Sequence, residues 1–212
     1  MVDTENSLWE EYFYPSSDVL KNNFDCRNYD KLKELEATYS FDRLLELREK
    51  DVPTIFDKEC LRSVHRYIFQ DVYPFAGEYR KVNLMKARGS FLYMKDVSDI
   101  EKYLDEIFDE ANNRLKNCHG KGEFADILAK IYSDLIYCHP FREGNGRSIR
   151  EFVREFSISK SRELNLGDLE LDWKAIDRSE LNQYIEVSHI FPGATSLLFN
   201  KALKDIKTIK TK

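Results

Sequence analysis

The chain has 212 residues, of which 42% are hydrophobic and 33% charged, with only 8 Gly and 5 Pro. This composition excludes a disordered or fibrous chain and predicts one soluble, helix-rich domain over residues 1–212, with its core at about 8–200. The net charge of −5 at pH 7 argues against direct binding to nucleic acid or to a membrane surface, because both need clustered Lys and Arg.

The N-terminus and the cysteines indicate the compartment. Met1-Val-Asp-Thr-Glu5 lacks a basic start followed by an apolar run, and no stretch approaches the roughly 18 apolar residues of a membrane span. The four cysteines lie far apart without a Cys-x-x-Cys pair, so reduced thiols are predicted rather than disulfides or a zinc site. These features predict a cytoplasmic location.

The first half of the chain predicts helices with one interruption. Apolar residues recur at helical spacing over residues 40–49 and 57–71, before a proline and a glycine break the pattern. Residues 79–84 and 91–94 have strand composition and are joined by a polar stretch, which predicts a β-hairpin. A helix over about 98–116 opens with Ser98-Asp-Ile-Glu101, a capping-box pattern.

The second half contains a helix that we expect to be central. Residues 123–138 carry a broad apolar stripe and lead directly to His139. A further helix is predicted to begin near Gly146 and to continue through Phe156. Residues 195–212 read as a last helix whose lysines face solvent and whose end frays.

The turn between these two helices has the composition of a phosphate site. Gly144 and Gly146 flank Asn145, so the backbone can approach a ligand closely and turn its amides toward it. The unpaired amides of the following helix lie at the positive end of its dipole and favour phosphate oxygens. Arg147 and Arg150 lie three apart on that helix and can both bind phosphate.

Two further side chains of the turn predict nucleotide chemistry. A carboxylate beside a phosphate site would repel bare phosphate, so Glu143 is predicted to hold a Mg²⁺ that bridges phosphate oxygens. His139 is the candidate general base, because an imidazole titrates near neutral pH. Phe141 alternates with these residues and is expected to point into the core.

The segment His139-Pro-Phe-Arg-Glu-Gly-Asn-Gly-Arg147, followed by Arg150, resembles the signature of the Fic family. That signature is His-x-Phe-x-(Asp/Glu)-Gly-Asn-Gly-Arg-x-x-Arg, and every specified position is filled. Residues 64–77 and 11–22 add to the resemblance, which covers roughly residues 8–200.

The resemblance implies an all-α fold, a Fic-type helical bundle with one small β-hairpin flap at about 79–94. It implies transfer of AMP from ATP to a Tyr, Thr or Ser hydroxyl of a target protein, with release of pyrophosphate. The flap would align the target segment by strand addition. The residues implied in this alignment are Lys81, Val82, Asn83 and Leu84.

The resemblance also implies a role for each residue of the turn. His139 would deprotonate the target hydroxyl, Glu143 would position Mg²⁺, and the amides around 144–146 would cradle the α- and β-phosphates. Asn145 would orient the transferred phosphate. Arg147 would stabilise the leaving pyrophosphate, and Arg150 would bind the γ-phosphate.

A regulatory expectation comes from a second family pattern, (Ser/Thr)-x-x-x-Glu-(Gly/Asn), whose Glu inhibits in cis. Ser7-Leu-Trp-Glu-Glu11 comes closest but is followed by Tyr12, and 179–183 lacks the Glu. We therefore expect any inhibition to come from a separate, antitoxin-like protein whose Glu pairs with Arg150. Bacterial origin and a toxin role follow from the resemblance alone.

Other interpretations remain beside this one. The same fold could act as a Doc-type phosphotransferase or transfer another nucleotide moiety, although Doc-type sequences replace the Gly-Asn-Gly turn with bulkier residues. A non-catalytic nucleotide-binding or docking module is a second alternative. His65 is interpreted as a structural histidine, and Trp173, Tyr184 and Phe191 as core rather than as an adenine pocket.

Overall fold

A computed structural model describes residues 7–84, 94–187 and 193–206. These residues form a helical fold with a two-stranded antiparallel sheet. The helices are α1 (Tyr29–Arg48), α2 (Lys58–Phe69), α3 (Ile100–Leu115), α4 (Lys121–Cys138), α5 (Asn145–Glu163), α6 (Arg178–Val187) and α7 (Ala194–Ala202), and the strands are β1 (Leu169–Leu171) and β2 (Leu203–Asp205). The all-α class predicted from the sequence is confirmed.

Helix α4 lies at the centre of the fold, as its apolar stripe predicts. It packs against α3, α5 and α7, and most of its length is buried, with Ile136 of the predicted stripe only half-buried. Phenylalanines from neighbouring elements close the core beside it, with Phe56 in edge contact with both Phe152 and Phe156. The buried core of α4 fixes the position of the turn that follows it.

Helices α1 and α2 pack against each other, and each begins at a side-chain cap. Asn28 accepts the amide of Lys31 at 2.9 Å, and Asp57 accepts the amide of Cys60 at 2.8 Å. The predicted helix over 57–71 is confirmed, whereas the one over 40–49 is only the second half of α1. The first half of α1 was not predicted, because α1 buries little more than Leu32 and Ser40 and so lacks an apolar stripe.

The capping box predicted at Ser98 is wrong. A short 3₁₀ turn, Val97–Asp99, precedes α3, and Asp96 accepts both the amide of Ser98 at 3.0 Å and its hydroxyl at 2.8 Å. Helix α3 itself begins at Ile100 without a side-chain cap. A carboxylate two residues earlier is the stronger acceptor, so it displaces the hydroxyl from the capping role.

The β structure differs from the sequence prediction in two places. Within the described part of the flap, residues 79–84 form no regular strand, and Tyr79 makes an isolated bridge with Phe141; residues 85–93 lie outside the described residues. The sheet of β1 and β2 was not predicted. Within the described residues, helix α7 ends at Ala202, and Leu203 continues as a fully buried strand residue. Residues 207–212, which include most of the predicted frayed end, lie outside the described residues.

The cysteines and the helix lengths bear on the environment of the chain. All four cysteines are free thiols, as predicted. Among the described residues, the helices are too short or too polar for any of them to cross a lipid bilayer.

Candidate active site

The turn between α4 and α5 begins with His139 in the left-handed helical conformation, at φ 47° and ψ 58°. This conformation costs a side-chain-bearing residue roughly 1–2 kcal/mol, and glycine is the usual residue at such a helix end. The amide of His139 donates to the carbonyl of Leu135 at 3.0 Å. The strain at a candidate catalytic residue must therefore be supported by the contacts around it.

Every carbonyl of the last turn of α4 accepts a hydrogen bond from a donor within the chain. Besides Leu135, the carbonyl of Ile136 accepts the Nδ1 proton of His139 at 3.3 Å, and the carbonyl of Tyr137 accepts the amide of Lys95 at 3.1 Å. The carbonyl of Cys138 accepts from the guanidinium of Arg80 at 3.4 Å. This end of the helix is therefore fully satisfied, which fixes its backbone.

The bond to Ile136 determines the tautomer of His139. A carbonyl oxygen can only accept, so Nδ1 carries the proton, and in the neutral imidazole Nε2 carries the lone pair. Nε2 is therefore the atom that can take a proton from a substrate. This geometry supports the predicted role of His139 as general base.

Gly144 begins the phosphate side of the turn and could not be another residue. It has φ +80°, and a Cβ on it would lie 2.3 Å from the ring of Phe69. Its carbonyl accepts the amide of Ser148 at 3.1 Å, so α5 begins at Asn145, one residue before the predicted start. No side chain caps α5, and its first amides, from Asn145 to Arg147, have no carbonyl within the helix to bond.

The side chain of Asn145 is buried and braces the turn. Its Oδ1 accepts the amide of Phe141 at 2.9 Å, and its Nδ2 donates to the carbonyl of Phe141 at 2.7 Å. Phe141 is fully buried, as predicted. The role of Asn145 in orienting a phosphate stays a prediction; the contacts found here make it the internal clamp of the turn.

His65 is a fully buried structural histidine, and it ties the turn to the preceding segment. Its Nδ1 accepts the amide of Gly77 at 2.8 Å, so its Nε2 is protonated and donates to the carbonyl of Glu143 at 2.9 Å. Its ring stacks on Phe141 with centroids 3.8 Å apart. Burial lowers the pKa of His65 to about 4, and the neutral ring is the form that can make both bonds.

The two arginines of the signature have different partners. Arg147 forms an ion pair with Glu36 and donates to the buried hydroxyl of Ser40 at 2.8 Å, both on α1. Its guanidinium lies 4.7 Å from the centre of the Phe69 ring, and Glu36 also accepts the hydroxyl of Tyr73. The phosphate-binding arginine predicted at 147 thus already has a carboxylate partner within the chain.

Arg150 lies among groups that leave its charge uncompensated. Its guanidinium hydrogen-bonds to the hydroxyl of Tyr132, and within the described residues it forms no ion pair with a carboxylate. Burial, followed by the positive charges of Arg178 and Arg147, lowers the pKa of Arg150. The indole of Trp173 donates to the carbonyl of Arg150 at 3.0 Å. A cation in this setting favours an anionic ligand.

The carboxylate of Glu143 has the geometry of a metal ligand, because one of its two oxygens is held and the other is left to bind a cation. One carboxylate oxygen accepts the amide of Gly144 at 2.9 Å, and the side chain is only partly buried. Among the described residues, no three His, Cys, Asp or Glu side chains gather as a metal site. Mg²⁺ is commonly held by one or two carboxylates together with substrate phosphates, so the turn fits a Mg²⁺ brought with a nucleotide.

Arg142, at an unspecified position of the signature, clamps the N-terminal segment onto the turn. Its guanidinium lies 4.6 Å from the ring centre of Trp9, 5.5 Å from Tyr12 and 5.2 Å from Phe13. Its Nε is buried and bonds to none of the described groups. The charge is therefore stabilised by aromatic faces and by the nearby charge of Glu143, without an ion pair among the described residues.

The residues predicted to align a target are only partly available for strand addition. Lys81 donates its amide to the hydroxyl of Tyr12 at 3.0 Å, and Val82 is buried with its carbonyl bonded to Arg80 at 2.8 Å. Asn83 is exposed, and its side chain accepts the amide of Val97 at 2.9 Å. Leu84 is half-buried. Their role as a target-aligning edge stays a prediction.

Sequence reasoning did not identify Arg80 or Glu36 as site residues. Both act on the turn from distant segments, and nothing in their immediate neighbours distinguishes them from surface charges. Trp173 packs against Tyr132 and Phe199, which supports its interpretation as a core residue. Phe191 lies outside the described residues.

With this site and fold in place, the chain belongs to the Fic/DOC family, which it matches over residues 55–157. It is 30% identical to the probable protein adenylyltransferase y4lH of Sinorhizobium fredii, over 78% of this chain and 84% of the relative. It is 28% identical to the protein adenylyltransferase VbhT of Bartonella schoenbuchensis, over 82% of this chain. The match spans only 34% of the length of VbhT.

Solved structures share the fold. A Fic domain from Bartonella quintana with bound ADP superposes with a TM-score of 0.79 at 24% identity, covering 95% of this chain and 98% of that one. BepC of Bartonella tribocorum with bound AMPPNP gives 0.78 at 20% identity, covering 92% and 97%. At this identity the likeness establishes the helical architecture.

Proposed function

We propose that this chain is a protein adenylyltransferase, which transfers AMP from ATP to a Tyr, Thr or Ser hydroxyl of a target protein and releases pyrophosphate. The observation that carries the proposal is the meeting of two features in one turn. His139 presents Nε2 as a proton acceptor, and α5 begins with unpaired amides beside Arg147 and Arg150. Relatives named as adenylyltransferases support the same reaction.

The transfer is a single displacement at phosphorus. The hydroxyl oxygen of the target attacks the α-phosphorus of ATP, and its proton passes to Nε2 of His139. The bond between the α-phosphorus and the bridging oxygen breaks, and pyrophosphate leaves with the electron pair. The amides from Asn145 to Arg147 bind the phosphate oxygens at the positive end of α5, and Arg150 binds the terminal phosphate.

Glu143 is proposed to hold Mg²⁺ through the carboxylate oxygen that Gly144 does not bond. When bound, the ion neutralises charge on the phosphate oxygens. The bond from Gly144 fixes the orientation of the carboxylate before nucleotide arrives, which reduces the ordering cost of binding.

The reaction is tested by incubating the protein and Mg²⁺ with cell lysate and ATP labelled at either the α- or the γ-phosphorus. AMP transfer labels protein only from the α-position, so label from the γ-position alone would replace the proposal with phosphotransfer. We expect His139→Ala to abolish labelling and to leave ATP affinity within about twofold, because the base acts in the transition state. His119→Ala, at an exposed histidine, is the matched control; equal labelling by both variants would contradict the mechanism.

The regulation and setting of this reaction are also proposed. Because no described carboxylate pairs with Arg150, a separate antitoxin-like protein could supply one, and its addition would compete with ATP. A toxin role and a cytoplasmic location accompany this proposal, the latter because all four thiols are free. Competition is measured as an ATP affinity that falls as the inhibitor concentration rises.

A further inference from the structure

Arg80 is a buried arginine without a carboxylate partner. Its side chain is 2% exposed, and it forms no ion pair among the described residues. Burial lowers its pKa, and the charge of Asp96 opposes this without forming an ion pair with it. A buried guanidinium is costly unless its donors are satisfied, so its hydrogen bonds should indicate why it is retained.

The guanidinium of Arg80 donates to backbone carbonyls of two separate segments. One pair lies at the end of α4: Nε donates to the carbonyl of His139 at 2.9 Å, and one Nη donates to the carbonyl of Cys138 at 3.4 Å. The other pair is formed by Val82, at 2.8 Å, and Lys95. Val82 and Lys95 bracket the stretch 83–94 in the sequence, so one cation joins both sides of this stretch to the catalytic histidine.

The backbone of Arg80 adds to this connection. Its amide donates to the carbonyl of Pro140 at 2.8 Å, beside the bridge between Tyr79 and Phe141. The carbonyls at the end of α4 carry the negative end of the helix dipole, which stabilises a cation placed there. Charge-assisted bonds of this kind are about twice as strong as neutral ones.

We propose that Arg80 is a positioning residue for the transfer reaction. It holds His139 in its left-handed backbone conformation, and so fixes where Nε2 stands relative to the start of α5. It also makes that position depend on Val82 and Lys95, so the two sides of the stretch 83–94 and the general base move as one unit. This inference rests on the proposed function, because it assigns a role within that reaction.

The test compares Arg80→Met, which removes the charge and all the side-chain donors, with Arg80→Lys, which keeps the charge and fewer side-chain donors. Both are assayed with α-labelled ATP at a temperature where circular dichroism shows them fully folded. We expect kcat to fall about 100-fold in Arg80→Met, since a displacement near 1 Å can cost that much. The affinity for AMPPNP should stay within about twofold, because Arg80 lies outside the phosphate-binding turn. Arg80→Lys should recover part of the rate.

Arg62→Met is the matched control, because Arg62 also donates to a backbone carbonyl, that of Gly77 at 3.0 Å, but does not reach His139. It should keep the wild-type rate. A folded Arg80→Met that keeps the wild-type kcat would overturn the inference, as would a parallel loss of rate and nucleotide affinity, which indicates general damage.

A second readout separates this inference from the proposed function. If the wild-type chain transfers no label from ATP, the proposed function fails, but the structural claim is still tested by a crystal structure of Arg80→Met or Arg80→Lys. We expect His139 to leave the left-handed region in Arg80→Met. A φ that stays near the wild-type 47° without the guanidinium would refute the role of Arg80.

Discussion

The two ends of the turn between α4 and α5 are built in opposite ways. At the end of α4, the carbonyls from Leu135 to His139 all accept hydrogen bonds from donors within the chain. At the start of α5, no side chain caps the helix, and the first amides are left without helical partners. The fold therefore has a satisfied side, the end of α4 where the proposed base His139 lies, and an open side, the start of α5 where an anion is proposed to bind.

The open side depends most strongly on Gly144. Gly144→Ala places a methyl group 2.3 Å from Phe69 at φ +80°, so we expect a loss of about 3 kcal/mol in the free energy of unfolding, with reduced ATP affinity. Urea denaturation measures the first and calorimetry the second. Gly122→Ala is the control, since it lies within α4 with open space around it; it should stabilise the protein by up to about 1 kcal/mol.

The link between the turn and Gly77 should make stability depend on pH through His65. Burial lowers its pKa from 6.5 to about 4, so the unfolded state binds the proton more readily. The contribution of neutral His65 to the free energy of unfolding is therefore fully present above pH 6.5, declines as the pH falls from 6.5, and is lost below about pH 4. The total loss is about 3 kcal/mol.

His65→Gln removes this titration, so the difference between the wild-type and variant unfolding curves isolates it from the carboxylates. A difference that stays constant between pH 7 and pH 4.5 would show that His65 does not titrate as a buried neutral ring.

Replacing Glu36, the partner of Arg147, tests whether its carboxylate occupies part of the proposed anion site on the open side. Glu36→Gln removes the carboxylate that pairs with Arg147 and accepts from Tyr73. We expect stability to fall by about 2 kcal/mol, because a partly buried cation loses its partner, and ATP affinity to rise severalfold.

Glu34→Gln, two residues earlier on α1 and paired among the described residues with Lys31 at the surface, should change neither quantity. A fall in ATP affinity for Glu36→Gln would mean that Glu36 aligns Arg147 for phosphate instead of competing with it.

The smallest expected change in stability concerns His139, at the satisfied end of α4. His139→Ala and His139→Gly both remove the imidazole, but only alanine keeps the cost of the left-handed backbone. The glycine variant should therefore be more stable than the alanine variant by about 1 kcal/mol, while both lack transfer activity. Equal stabilities in thermal unfolding would indicate that the conformation at 139 carries no strain.

The sequence predicted most of what is local. The signature from His139 to Arg150 lies in one stretch, so its glycines, charges and flanking helices could be read together, and the amphipathic patterns of α2 and α4 placed them correctly. Buried Phe141 and structural His65 followed from the same local reasoning.

What could not be predicted depends on long-range pairing. Arg80 acts on a residue 59 positions away, and Arg147 finds Glu36 at a separation of 111. The strands β1 and β2 pair Leu171 with Leu203, although each strand has only three residues. Periodicity does not report such contacts, because they are set by tertiary packing rather than by neighbours in the sequence.

The clamp of Arg142 on the N-terminal segment has a practical consequence. The chain has two tryptophans; Trp9 lies against the guanidinium of Arg142, and Trp173 donates to the carbonyl of Arg150. Trp9 thus reports on the turn itself, and Trp173 reports on α5 at the position of Arg150. Intrinsic fluorescence should therefore report nucleotide arrival without any added dye, and single Trp→Phe variants would assign each emission change to the turn or to α5.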